Sequence, residues 1–219
     1  MTPRTVHLHH EILAKKQAEM LPLLAACARR FGFGMVGGTA IALHIGHRRS
    51  IDFDLFTNTP FDTLSLRQLL RTFAPITRVF VDHDGEYTVL VKGVKLTFLL
   101  YPFPLRFRSS FEGIPMADLL TLAALKAYAL GRRAKWKDYV DVYWIMRRRH
   151  PIERIVAKSK SIFGKEFNEK LFRAQLVFFY DLDRSEKVIS MKGFAVADKE
   201  IQKELVQWSV REKAGKMKK

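Results

Sequence analysis

Asp52 and Asp54 stand two residues apart within Ile51-Asp52-Phe53-Asp54-Leu55-Phe56. On an extended strand, side chains two apart share a face. This spacing predicts that the two carboxylates project together while Ile51, Phe53 and Leu55 turn to the core. Adjacent carboxylates repel, and an oxygen-rich pair suits a hard cation such as Mg²⁺. A solvent-facing strand edge could carry the same two acids without a metal, and the pair alone does not decide between these readings. Its context does. Gly37-Gly38-Thr39 lie just upstream, between a strand-like run at 31–36 and the helix formers Ala40-Ile41-Ala42-Leu43-His44. Glycines there let backbone approach a phosphate closely, and the positive end of the following helix favours the anion. Thr39 supplies a hydroxyl and has the chemistry of an N-cap. A Gly-Gly turn by itself is common. A Gly-Gly-Thr turn opening a helix, followed by a loop and Asp-x-Asp on a strand, is much more specific. It predicts a phosphate-binding turn at Gly37, Gly38 and Thr39 facing a metal-binding pair at Asp52 and Asp54.

Further positions carry charge or polarity where chemistry would use it. Arg48 and Ser50 immediately precede the carboxylate strand, so Arg48 can meet a phosphate or hold Asp52 through a bidentate pair. His47 beside them reads equally as a turn residue. Lys126 sits in a run that is apolar almost all round, from Leu119 to Leu130. A buried ammonium needs an anion, either a phosphate or a carboxylate, unless its stem lets the head snorkel to water. Asp138 and Asp141 are three apart on a later helix and share a face. One of them can pin Lys126 or Arg133 in an ion pair, a role that fits Asp141 best.

The elements that must position these groups follow from periodicity and turn chemistry. Helices are expected at 11–30, 40–44 and 62–73, with strands at 31–36 and 51–56. Strand-like runs at 76–81, 86–91 and 94–101 follow. Asp84-Gly85 and Lys92-Gly93 have hairpin chemistry, so these three form an antiparallel meander. Beyond about residue 115 only helices are expected, at 118–130, 137–149, 152–163, 166–180 and 198–213, with a frayed basic tail over 211–219. This order predicts an α+β fold: a small mixed β-sheet with flanking helices over residues 1–112, then a helical lobe over 113–219.

The stretch from Gly37 through Phe56 resembles the signature of the AbiEii/AbiGii toxin-type nucleotidyltransferases, which include the MenA-like toxins and belong to the DNA polymerase β-like superfamily. The likeness continues at Leu125-Lys126 and at Lys135-Trp136-Lys137-Asp138-Tyr139-Val140-Asp141-Val142, so it spans about Gly37 to Ile145. The last third of the chain carries no motif that extends it. The resemblance implies the nucleotidyltransferase fold and transfer of a nucleoside monophosphate from an NTP with Mg²⁺. It gives Asp52 and Asp54 the metal, Gly38 and Thr39 the triphosphate, and Lys126 and Asp138 the second pair of active-site positions. It also implies a toxin's partners: a tRNA or other RNA acceptor and a cognate antitoxin. One departure stands out. Enzymes of the superfamily usually carry a third carboxylate on a later strand, and the in-phase residue here is Thr97. That leaves open a second class of protein, a degenerate transferase scaffold that binds nucleotide, RNA or an antitoxin without chemistry.

Bulk properties agree with a polyanion as partner. The 219 residues include 38 Lys and Arg against 22 Asp and Glu, a formal charge of +16. Such a charge attracts nucleic acid over long range without conferring specificity. Basic clusters at Arg106 and Arg108, at 132–137 and at 147–150 interleave with Phe103, Phe107, Trp136 and Tyr139, a composition that suits RNA. Solvated helix ends would look the same at 147–149. The single cysteine, Cys27, and the polar N-terminus Met1-Thr2-Pro3-Arg4 point to a cytoplasmic protein without a signal peptide. No apolar run approaches the ~20 residues of a membrane span.

Overall fold

The computed structural model describes residues 8–210, and the N-terminal segment and the basic tail expected over 211–219 lie outside them. The chain divides into two compact units, one ending at Leu122 and the other beginning at Ala123.

The first unit is built on a seven-stranded mixed sheet in the order β3-β4-β5-β2-β1-β7-β6. Its strands are β1 (Gly34–Val36), β2 (Asp52–Thr57), β3 (Ile76–His83), β4 (Glu86–Val91), β5 (Val94–Leu100), β6 (Phe107–Phe111) and β7 (Ile114–Ala117). The meander is present, with β3, β4 and β5 antiparallel in succession. β2 runs parallel to β5 on one side and antiparallel to β1 on the other. Strict alternation along β2 and β5 turns Phe53, Leu55, Leu96 and Phe98 to one fully buried face. Asp52, Asp54, Lys95 and Thr97 are left on the other, only partly covered face. Ile51 does not join the core: the strand begins one residue later, and Ile51 is 66% exposed. The outermost strand, β3, breaks register with β4 at two places, between Ile76 and Arg78 and between Val79 and Val81.

The helices of this unit are α1 (Lys15–Ala18), α2 (Leu21–Phe31), α3 (Gly37–Ile45) and α4 (Thr63–Phe73). The single helix expected over 11–30 is in fact a 3₁₀ turn at His10–Ile12, then α1, then α2. Pro22, which lacks an N–H, falls in the first turn of α2, where none is needed, and so starts a new helix instead of continuing the old one. Phe31 closes α2, with Gly32 in the left-handed conformation behind it, so the strand expected from 31 shortens to β1. Asp62 caps α4 by accepting from the backbone N–H groups of Leu64 and Ser65. The β6–β7 hairpin was not anticipated: Pro102 and Pro104 interrupt the chain before β6, and Pro115 falls inside β7. It stands on a Glu112-Gly113 turn with both residues at positive φ.

The second unit is helical. It takes the greater part of α5 (Leu119–Leu130), then α6 (Trp136–Arg148), α7 (Ile152–Phe163), α8 (Glu169–Gln175) and α9 (Asp198–Ser209). The helix expected over 166–180 shrinks to α8, capped by Asn168 through the N–H of Leu171. Arg147 ties α6 to α9 through Glu200 (3.4 Å) and Glu204 (2.7 Å), and Arg148 lies over the rings of Trp144 (5.1 Å) and Phe194 (4.5 Å).

Candidate active site

In the first unit, seven residues singled out in the sequence come together around one turn. β1 runs straight into α3: Val36, in extended conformation, is the residue before the helix, and Gly37 is its first residue with φ +73°. The N-cap is therefore Val36 and not Thr39, and an apolar Val36 side chain makes no capping bond. The N–H groups at such a helix start, together with the helix dipole, favour an anion.

Each glycine of the turn has a specific neighbour. Val36 pairs with Asp54 in the β1–β2 register. A β-carbon on Gly37 would collide with Asp54 Oδ2, and one on Gly38 would collide with the Arg48 guanidinium. The Asp54 carboxylate and the Arg48 guanidinium thus lie directly against the two glycines. Thr39, freed from capping, is buried, and its hydroxyl lies 2.9 Å from Ser50 Oγ and donates to the Asp52 carbonyl. This contact fixes the loop before β2 onto α3. Arg48 is 4% exposed and bonds the Arg49 carbonyl at 3.0 Å. His47 is fully buried in the same loop.

Asp52 Oδ2 lies 3.2 Å from Lys95 Nζ, across the parallel β2–β5 pair in which Asp52 faces Lys95. Lys95 was not foreseen. Its only signal was its position two residues before Thr97 on one strand, which means nothing until the β2–β5 register is known. That register sets Thr97 directly opposite Asp54. The side chain at the expected third-carboxylate position is therefore a hydroxyl.

The donor set suits Mg²⁺ better than a dedicated metal cage. Among the described residues no group of three or more His, Cys, Asp or Glu side chains could hold a metal ion. Two carboxylates on one face beside the Gly37-Gly38 turn would suit a hard cation that keeps several of its waters.

In the second unit, Lys126 is 6% exposed, so its head does not snorkel to water. It forms ion pairs with Asp138 and, at 3.0 Å, with Asp141. Arg133 Nε bonds the other oxygen of Asp138 at 3.0 Å. Both carboxylates are fully buried. Burial pushes the Asp138 carboxyl up, but the Lys126 and Arg133 cations outweigh it and hold the group below the usual carboxylate range. Asp138 and Asp141 both take the ion-pair role that the sequence offered to one of them.

A Gly-Gly turn entering a helix, opposed by Asp-x-Asp on the neighbouring strand of a mixed sheet, has the form of a nucleotidyltransferase. Solved structures agree on the fold. JHP933 from Helicobacter pylori superposes with a TM-score of 0.58, covering 92% of this chain and 91% of that one at 16% identity. MenT4, a nucleotidyltransferase toxin from Mycobacterium tuberculosis H37Rv, superposes with a TM-score of 0.58 over 89% of this chain and 82% of that one at 12% identity. An uncharacterized protein of Aquifex aeolicus strain VF5 is 29% identical over 178 residues, 77% of this chain and 84% of the relative. Residues 32–205 match the family described as nucleotidyl transferase AbiEii toxin, type IV toxin–antitoxin system, and the chain belongs to that family.

Proposed function

We propose that the protein is a Mg²⁺-dependent nucleotidyltransferase that moves a nucleoside monophosphate from an NTP to a hydroxyl on RNA, with tRNA as the first acceptor to test. The observation that carries this reading is the Asp54 carboxylate lying against Gly37, with Asp52 on the same strand face. The N–H groups of α3 and the Arg48 guanidinium hold the triphosphate, and Thr39 and Ser50 keep the loop before β2 in place. Mg²⁺ bound by Asp52 and Asp54 would act as Lewis acid and template for the phosphates. The acceptor oxygen bonds the α-phosphorus in line, the bond from that phosphorus to the β-phosphate bridging oxygen breaks, and pyrophosphate leaves. Positioning and fixed charge supply most of the rate. The resemblance assigns Lys126 and Asp138 to the same reaction. A cognate antitoxin is the expected protein partner.

The test is incubation with each labelled NTP, Mg²⁺ and total tRNA. Wild type is expected to transfer label, and Asp52→Ala and Asp54→Ala to lose at least about 10²-fold in rate, the scale on which single catalytic electrostatic groups act. Absence of transfer by wild type with every NTP, or full transfer by Asp52→Ala, removes the reading. A second reading rests on Thr97. A scaffold that binds nucleotide without turnover would show nucleotide binding indifferent to Mg²⁺.

A further inference from the structure

Asp54, Thr97 and Thr88 occupy one row across β2, β5 and β4, set by the pairs Asp54–Thr97 and Thr97–Thr88. Glu86 stands two residues before Thr88 on the same face of β4 and reaches back along it. Thr88 Oγ1 lies 3.5 Å from Thr97 Oγ1 and 3.5 Å from Glu86 Oε1. Thr88 is 7% exposed, so its hydroxyl is shut off from bulk water, whereas the Glu86 side chain is 31% exposed. The row therefore begins beside the Asp54 carboxylate, passes through two hydroxyls and ends on an acid that reaches solvent.

The direction of this chain follows from its end. An ionised carboxylate only accepts, while a threonine hydroxyl both donates and accepts. Thr88 therefore gives its proton to Glu86 and offers its lone pairs to Thr97. Thr97 gives its proton to Thr88 and presents its own oxygen as an acceptor on the Asp54 side. Such contacts are often long without substrate and tighten when it binds.

We propose that Glu86 is the terminal proton acceptor of the transfer reaction, working through Thr88 and Thr97 in place of a carboxylate at residue 97. This deepens the nucleotidyl-transfer reading above and rests on it. As the acceptor oxygen bonds the α-phosphorus and pyrophosphate departs, the hydroxyl proton passes to Thr97 Oγ1. The Thr97 proton passes to Thr88 and the Thr88 proton to Glu86, which ends as a neutral acid. His83 on β3, 63% exposed with its Nε2 3.7 Å from Glu86 Oε2, is the charged or titratable neighbour on that side, and it offers the proton a way out to water. On β5 the residue opposite Glu86 is the apolar Leu99. Glu86 touches no reacting atom and is a positioning residue in this scheme.

The test compares wild type with Glu86→Gln, Thr88→Val, Thr88→Ser and the double variant Glu86→Gln/Thr88→Val in the labelled-NTP assay. Glu86→Gln and Thr88→Val are each expected to lower kcat on the order of 10²-fold with KM for the NTP unchanged. Thr88→Ser, which restores the hydroxyl, should recover most of the rate. The double variant should be no slower than either single one, as for groups that act in series. Thr97→Val replaces Thr88→Val in the series if the latter does not fold. Transfer by Glu86→Gln at the wild-type kcat, or losses that multiply in the double variant, overturns the relay while nucleotidyl transfer stands. A wild type that transfers no nucleotide overturns both.

Discussion

At the residue scale, the turn at Gly37 carries two independent demands. Its φ of +73° favours glycine, and the Asp54 carboxylate fills the space a side chain would need. The backbone term alone costs an alanine about 1–2 kcal/mol. Gly37→Ala should therefore lower stability by at least that much in urea denaturation, and it should weaken NTP binding because Asp54 must move. Gly38 has no positive φ, so Gly38→Ala is spared the backbone cost and meets the Arg48 guanidinium, with Ser50 Oγ in ordinary contact. The smaller stability loss expected there, measured the same way, separates the two glycines. Cys27 gives a chemical readout of packing. It is fully buried, and burial pushes its thiol up to about 12. A thiol reagent should leave it unmodified in the folded protein and label it on unfolding, since the thiolate is the reactive form.

Elements decide what the buried charges in the helical unit are worth. Lys126 on α5 is clamped by two fully buried carboxylates of α6. Removing one member of a buried ion cluster leaves uncompensated charge and typically costs 3–5 kcal/mol, roughly the scale expected for Lys126→Met. Exposed pairs such as Arg132 with Glu166 should contribute less than about 1 kcal/mol by the same measurement. The Asp138 carboxyl lies below its usual range, so its stabilising effect is present above the unfolded value and disappears as pH falls through the folded one. Stability should drop below about pH 4 in wild type, and Asp138→Asn should flatten that dependence.

Elements also explain how much the sequence disclosed. The Gly37-Gly38 turn and the Asp52–Asp54 pair were legible because both are local: a glycine turn and a period of two need no knowledge of the rest of the chain. Thr97 was reached through the resemblance, as the in-phase residue where a third carboxylate is expected, and the β2–β5 register then sets it opposite Asp54. Lys95, Thr88 and Glu86 could not be reached, since their relation to the carboxylates exists only through pairing between β2, β5 and β4. The split of the first helix has its signal in Pro22, set within an apolar run whose period reads as one continuous helix. The β6–β7 hairpin was hidden because Pro115 lies inside a strand, where prolines are rare.

For the whole molecule, the dominant property is a formal charge of +16. Part of that charge is committed internally, as Arg147 and Arg148 show by stapling α6 to α9 and stacking on Trp144 and Phe194. Arg106 and Arg108 remain exposed. If the proposed acceptor is RNA, its binding should weaken steeply with salt, and the slope of log affinity against log salt in filter binding counts the phosphates engaged. Arg106→Ala/Arg108→Ala should make that slope shallower if these side chains lie on the RNA path. No helix among the described residues is long and apolar enough to cross a membrane.

The irregular pairing of β3 has a consequence for behaviour at high concentration. This strand forms one rim of the sheet and exposes Val79 and Phe80, which are 47% and 45% accessible. A straight, apolar rim of that kind invites a second copy to dock strand against strand and seed fibrils. The two interruptions twist the rim away from such a template, and Arg78, lying over the Phe80 ring, adds like-charge repulsion between copies. Deleting one bulged residue, or replacing Arg78 with Val, should shorten the lag before thioflavin fluorescence rises in a concentrated sample.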